Sequence, residues 1–227
     1  MNRSRHVLRD NGLGLAFGGL FLVMLVGQSF AGHAQVNDER LTEGLPPVTW
    51  LDFVTSSTFG VDVMENWQSE YLQFFLYVFA TVWLVQRGSA ESKEPRLAGP
   101  ESDADQLVGD SALEDSPAWV RAGGWRTAVY SRSLGMLMGT LFVLTWAASS
   151  VAGWAEFNNQ QLMSLADPVS WPAYLGKGDF WERTFQNWQS EMLAVGSFVV
   201  FTVYLRQRGS PESKPVGAAH ADTGETG

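Results

Sequence analysis

The chain of 227 residues contains no cysteine. Disulfide frameworks, thiolate nucleophiles and Cys-based zinc or iron–sulfur sites are thereby excluded. Histidine is scarce, with three copies, and no Ser/His/Asp grouping stands near the polar segments, so the reading is of a protein that is not an enzyme and carries no cofactor or metal. Basic residues are few: 15 Lys and Arg face 24 Asp and Glu, for a net charge of −9. Nucleic acid needs a basic face and is therefore excluded as a partner. Aromatic residues, by contrast, are not lacking, and ten Trp argue against a disordered chain.

What is abundant is apolar sequence gathered into blocks. Residues 11–37 and 133–155 carry no formal charge, and both exceed the roughly 18 apolar residues at which a membrane span is the default reading. The amino end RSRHVLR, an apolar run and SFAGHA also imitate a secretory signal. Against that alternative, the same design recurs as SVAGWA at 150–155, deep inside the chain. The first run is read as a retained span.

That recurrence is part of a duplication. Shifted by 121 positions, residues 10–94 align with 131–215 without a gap, and 32 of the 85 positions are identical. The matches culminate in NWQSE at 66–70 and 187–191, and in QRGSAESK (86–93) against QRGSPESK (207–214). The expected organisation is a first membrane hairpin repeat at 1–95, an acidic Gly/Pro/Ser-rich linker at 96–126, a second repeat at 127–216 and a disordered tail at 217–227.

The second apolar block of each repeat is shorter, and length alone suits a buried soluble helix as well as a span. Thr58 and Asp179 are aligned N-cap candidates, each opening a stretch without Pro that runs to Arg87 or Arg208. Trp67 and Trp188 at one end, and the arginines at the other, suit the two membrane interfaces. If all four blocks span, 12 of the 15 Lys and Arg lie on the side of both termini, leaving Arg40, Lys177 and Arg183 opposite. The fold class is then an all-α integral membrane protein of four transmembrane helices, two tandem hairpins with parallel pseudo-two-fold symmetry. The positive-inside rule places both termini in the cytoplasm. A two-span arrangement, with the shorter blocks docked elsewhere, is the alternative.

Four features carry candidate roles. Gly14 and Gly18, with their counterparts Gly135 and Gly139, form GxxxG pairs that allow close helix packing. PPVTWLDFV and DPVSWPAYL each read as a short amphipathic helix in the outer interface, opened by Thr49 or Ser170. In QRGSxESK, Gly88 or Gly209 can take the left-handed helix-ending position, and Arg87, Lys93, Arg208 and Lys214 are candidates for contact with lipid heads or a partner. On the pentapeptide helices, Asn66, Ser69 and Glu70 fall in one polar stripe with Gln73, Tyr77 and Thr81, and Trp67 and Gln68 point elsewhere. A stripe in a membrane helix faces protein or water, so Asn187, Ser190 and Glu191 are expected to meet it across the pseudo-axis, with Glu70 and Glu191 titrating as a pair. The site is either interhelical hydrogen bonding or an ion, proton or solute site.

NWQSE with its following apolar block and QRGSxESK, preceded by a GLGL-type span ending in GQSFAGH, resemble a membrane-protein family known as domain of unknown function 6766. The resemblance implies a bacterial polytopic membrane protein and brings no activity, ligand or catalytic residue. One departure is His33, whose counterpart is Trp154, so no histidine pair arises. The reading is a structural or partner-binding element of the bacterial inner membrane, its partners the lipid bilayer and a membrane protein or a second copy. The alternative is a small channel or transporter with a pathway along the pseudo-axis through Glu70 and Glu191.

Overall fold

A computed structural model of the chain describes residues 9–224; the basic amino-terminal segment and the end of the tail lie outside them. Among the described residues the secondary structure is helical, with no strand. The principal elements are α1 (Gly12–Thr42), α2 (Trp50–Val54), α3 (Ser57–Ala80), α4 (Ala118–Ala122), α5 (Gly124–Tyr130), α6 (Ser133–Met163), α7 (Trp171–Tyr174) and α8 (Gly178–Tyr204). Both α1 and α6 have 31 residues, and their starts and ends fall at aligned positions of the two repeats. At 1.5 Å per residue each is roughly 46 Å long, more than a bilayer core of about 30 Å. Their mean hydropathies reach 1.9 and 1.6, so two helices are long and apolar enough to cross a membrane. Neither α3 nor α8 is among them.

Several boundaries differ from expectation. Thr58 is not the cap of α3, which begins at Ser57; Ser56 Oγ accepts from the Phe59 N–H at 3.3 Å, and the Thr58 hydroxyl is engaged elsewhere. Asp179 lies inside the first turn of α8, behind an extended Lys177. Neither helix reaches its arginine. The chain leaves α3 after Ala80, where Gly99 N–H donates to Val82 O at 2.6 Å, and leaves α8 after Tyr204. There the Arg206 guanidinium donates to the Thr202 and Val203 carbonyls at 3.2 and 3.1 Å, supplying donors that the last turn lacks.

The chain forms two compact units that cut across the repeats: 1–63 with 152–168, and 64–151 with 169–227. In the first unit, α2 opens with a capping box between Thr49 and Asp52. It is held to α1 by Trp50 Nε1 donating to Ser29 Oγ at 3.2 Å. Phe53 packs so closely on Gly32 that an added Cβ would sit 2.7 Å from the ring. Carbon there has no room. From α6, Glu156 Oε2 accepts from Ser57 Oγ at 3.2 Å and Thr58 Oγ1 at 2.8 Å.

In the second unit, Trp171 Nε1 donates to Ser150 Oγ at 3.2 Å, the aligned equivalent of the Trp50 bond. Trp146 is the centre of an aromatic cluster with Phe142, Phe180 and Trp188, ring centroids 5.8 to 5.9 Å away. The segment expected as a solvated linker has local structure: 3₁₀ turns at Pro95–Leu97 and Gly109–Ser111 precede α4 and α5. Thr127 Oγ1 lies 3.0 and 3.1 Å from the Trp119 and Val120 carbonyls, joining those short helices. The described part of the tail is also ordered by specific bonds, set out below.

Candidate functional site

The two pentapeptides meet in the second unit, and they meet unlike to unlike. Gln68 and Ser69 of α3 are each 1% exposed. Trp188 Nε1 of α8 donates to Gln68 Oε1 at 2.8 Å. Ser69 Oγ lies 3.0 Å from Asn66 O and 3.3 Å from Glu191 Oε1, its one proton directed to these acceptors. In α8, Asn187 Nδ2 donates to the Arg183 carbonyl at 2.9 Å and Ser190 Oγ to Asn187 O at 2.8 Å.

This arrangement corrects the expected stripe. Asn66, Glu70 and Ser190 are exposed, Asn187 and Glu191 are half-buried, and Gln68, expected to point elsewhere, is the buried acceptor. The Trp188 ring packs tilted or edge-on against Phe142, Trp146 and Phe185, and its N–H closes the seam. The reason is that helix period assigns residues to faces but not to the partner, and a Trp donor outranks a carboxylate for a dry seam because it carries no charge.

One turn outward lies a network that the sequence reading missed. Arg183 Nη1 donates to Glu65 Oε1 at 3.2 Å, and its Nε lies 3.5 Å from Asp179 Oδ2. The Tyr174 hydroxyl, on a side chain 1% exposed, donates to the same Asp179 oxygen at 3.2 Å. Burial, and then the Asp179 charge, push that hydroxyl well above its ordinary range, so it stays a donor. Ser149, Thr184 and Phe180 complete the lining. The signal lay in the i, i+4 spacing of Asp179 and Arg183, but the network does not recur in the repeat, since Glu65 aligns with Gln186.

The QRGSxESK segments form matching turns beyond the helix ends. Gly88 and Gly209 have φ of 87° and 81°, as expected of glycine, but they serve a separate turn instead of ending a helix. Ser92 Oγ accepts from Gln86 N–H at 2.8 Å and Ser213 Oγ from Gln207 N–H at 2.9 Å. Ser89 Oγ accepts from Glu91 N–H at 3.1 Å and Ser210 Oγ from Glu212 N–H at 3.2 Å. These bonds explain the serines.

The lysines are spent inside the chain, which corrects their expected role at lipid heads or a partner. Lys93 pairs with Glu101 at 2.8 Å, holding that carboxyl below its usual range. Lys214 is 1% exposed and donates to the carbonyls of Ala219, His220 and Asp222 at 3.1, 3.1 and 2.9 Å. Arg87 and Arg208 remain exposed. The tail continues onto the first turn: Gly88 N–H donates to Thr223 Oγ1 at 2.8 Å and Gly224 N–H to Ser89 O at 3.0 Å. Ser89 Oγ also meets Thr202 Oγ1 of α8 at 2.9 Å.

Of the four packing glycines, Gly139 has a close neighbour. An added Cβ there would sit 3.1 Å from two ring carbons of Phe75, whereas at Gly14, Gly18 or Gly135 it would meet nothing within 4 Å.

The family model described as a domain of unknown function (DUF6766) matches residues 4–225. The chain belongs to that family. Neither the curated proteins nor the solved structures include a match.

Proposed function

We propose that this member of the DUF6766 family is a multi-pass, non-enzymatic protein of the bacterial inner membrane that acts as a structural or partner-binding element. In this reading α1, α3, α6 and α8 all cross, as two hairpins related by a pseudo-two-fold axis along the membrane normal, with both termini cytoplasmic. One observation carries it: only 6% and 17% of the most apolar windows of α1 and α6 are buried. A soluble core helix would hide such a surface, and α6, in mid-chain, is no leader sequence. Lipid is the solvent that suits it.

At 24 and 27 residues, α3 and α8 extend roughly 36 and 40 Å, long enough to span. Their polar outer halves bond to one another, as membrane-depth polar groups must. The 12 of 15 Lys and Arg on the side of the linker and termini support the orientation. Because Gln68, Ser69, Trp188 and Glu191 are engaged across a helix seam, they support packing rather than a solute path. Arg87 and Arg208, exposed where the turns leave the bilayer, are the residues offered to lipid heads, a membrane-protein partner or a second copy.

The absence of native cysteine makes the test direct. Single cysteines at Ser102 and Ala219 should label only from the cytoplasm, and one at Glu43 only from outside. Labelling of Ser102 and Glu43 from one side would overturn the hairpin arrangement. Purification in native lipid, followed by identification of co-purifying proteins with wild type and with Arg87→Glu/Arg208→Glu, tests the partner role; retention of every partner by the variant removes the arginines from it.

A further inference from the structure

The stretch read from sequence as a solvated linker changes character at Ser116. Residues 101–115 hold six carboxylates and no Lys or Arg, whereas 116–132 hold Arg121, Arg126 and Arg132 and no Asp or Glu. The basic half is a folded unit. Thr127 Oγ1 meets the Trp119 and Val120 carbonyls, Val120 is buried, and Gly123 and Gly124 turn the chain between α4 and α5 with φ of 69° and 60°.

Its rings stay outside. Trp119, Trp125 and Tyr130 are 45%, 66% and 43% exposed. The two indoles meet edge to face with centroids 5.7 Å apart, and the Arg126 guanidinium lies 5.7 Å from the Trp125 ring centre. Arg121 and Arg132 are also exposed, and Arg132 Nη1 donates to the Ala128 carbonyl at 3.0 Å. Among the described residues none of these three arginines pairs with a carboxylate. Only Ser131 and Arg132 then separate α5 from α6, one of the two helices long and apolar enough to cross a membrane.

An indole left in water forfeits apolar burial, whereas at the headgroup level of a bilayer its ring and its N–H both find suitable surroundings. Helices of five and seven residues have little stability of their own in water, and an interface supplies what they lack. Guanidiniums beside such rings bind lipid phosphate. We propose that α4 and α5 form an interfacial foot of α6 that docks on the anionic phospholipid surface, with Trp119, Trp125 and Tyr130 entering the headgroup layer and Arg121, Arg126 and Arg132 engaging lipid phosphates. The foot rests on the reading of α6 as a membrane span whose amino end is cytoplasmic. Charge and continuity select lipid as the occupant. The carboxylates of 101–115 do not pair with these arginines even within the chain, so a second copy offering the same acids is not their complement, while the membrane surface lies at the end of α6.

The test uses full-length protein in nanodiscs, of phosphatidylcholine alone or in equal parts with phosphatidylglycerol, and reads the depth of a single spin label by power saturation. A label at Ala122→Cys, exposed on α4, should sit at headgroup depth in the mixed bilayer, and one at Ser102→Cys should stay in water. Each arginine near an anionic surface is worth about a factor of five in the ratio of docked to free foot, so Arg121→Gln/Arg126→Gln/Arg132→Gln should lower that ratio about a hundredfold. Lysine at the same three positions should hold the label in place, and high salt should release it. Trp119→Ala/Trp125→Ala should release it in both lipids. A label at Leu144→Cys, in the middle of the apolar part of α6, separates the two readings. Leu144 at hydrocarbon depth with Ala122 in water overturns the docking alone; Leu144 in water overturns the span and the docking with it. Equal depth of the Ala122 label in both lipids and in the glutamine variant would overturn the recognition of anionic lipid. Magnetic broadening between Ala122 labels of two chains in one disc would assign the surface to a second copy instead.

Discussion

Identical residues do different work in the two copies of NWQSE. Gln68 is buried and accepts from Trp188, while Gln189 is exposed; Ser69 is buried against Glu191, while Ser190 is exposed. Removing a donor from a buried acceptor costs more than removing an exposed side chain, because the orphaned group has no water to turn to. Trp188→Phe should therefore lower stability by about 1–2 kcal/mol. Gln189→Ala should stay within about 0.5 kcal/mol of wild type. Unfolding in mild detergent measures both. Equal effects would mean that the seam is not the asymmetric contact described. The pentapeptide itself was legible from sequence, and so was its attachment to a helix. Which copy supplies the donor was not, since the two strings are the same and their neighbours differ.

At the scale of elements, α1 and α6 are aligned copies with different surroundings. Gly139 of α6 receives the Phe75 ring, whereas an added Cβ at Gly18, its counterpart in α1, meets nothing within 4 Å. The residue aligned with Phe75 is Gly196, so the repeat conserves no ring for the first copy. Gly139→Leu must displace an aromatic side chain and should cost about 1–3 kcal/mol. Gly14→Leu and Gly135→Leu, which displace nothing within the chain, should stay within about 0.5 kcal/mol. Thermal melts of the three variants decide the ranking, and a melt of Gly139→Leu equal to the others would remove the Phe75 contact. The long helices were readable because charge-free length is a local property. The start of α3 and the end of α8 differ from expectation because Ser56 Oγ takes the Phe59 N–H ahead of Thr58, and Arg206 takes the Thr202 and Val203 carbonyls before the chain reaches Arg208.

For the molecule as a whole, the tail closes what the duplication leaves open. Lys214, 1% exposed, donates its Nζ protons to carbonyls of Ala219, His220 and Asp222. Truncation after Pro215 removes those acceptors and leaves a buried ammonium unsolvated, at a cost of about 3 kcal/mol. Adding Lys214→Met to the truncated chain should recover most of that loss, since the charge and its desolvation go together. Equal melting of full-length and truncated protein would show that the tail contributes nothing.

The apolar blocks, the duplication, the short helices at Trp50 and Trp171, and the family were all legible in the chain alone. Each depends on residue type at a fixed spacing along one chain. Only the tertiary structure decided that Gln68 rather than Asn66 enters the seam, that Arg183 bridges Glu65 and Asp179, and that the lysines of QRGSxESK turn inward. Those outcomes depend on which side chain across a gap has a free donor or acceptor once water is excluded. A repeat cannot announce that, because a symmetric sequence still has one linker and one tail, and the second QRGSxESK lysine is satisfied by the tail that follows only the second copy.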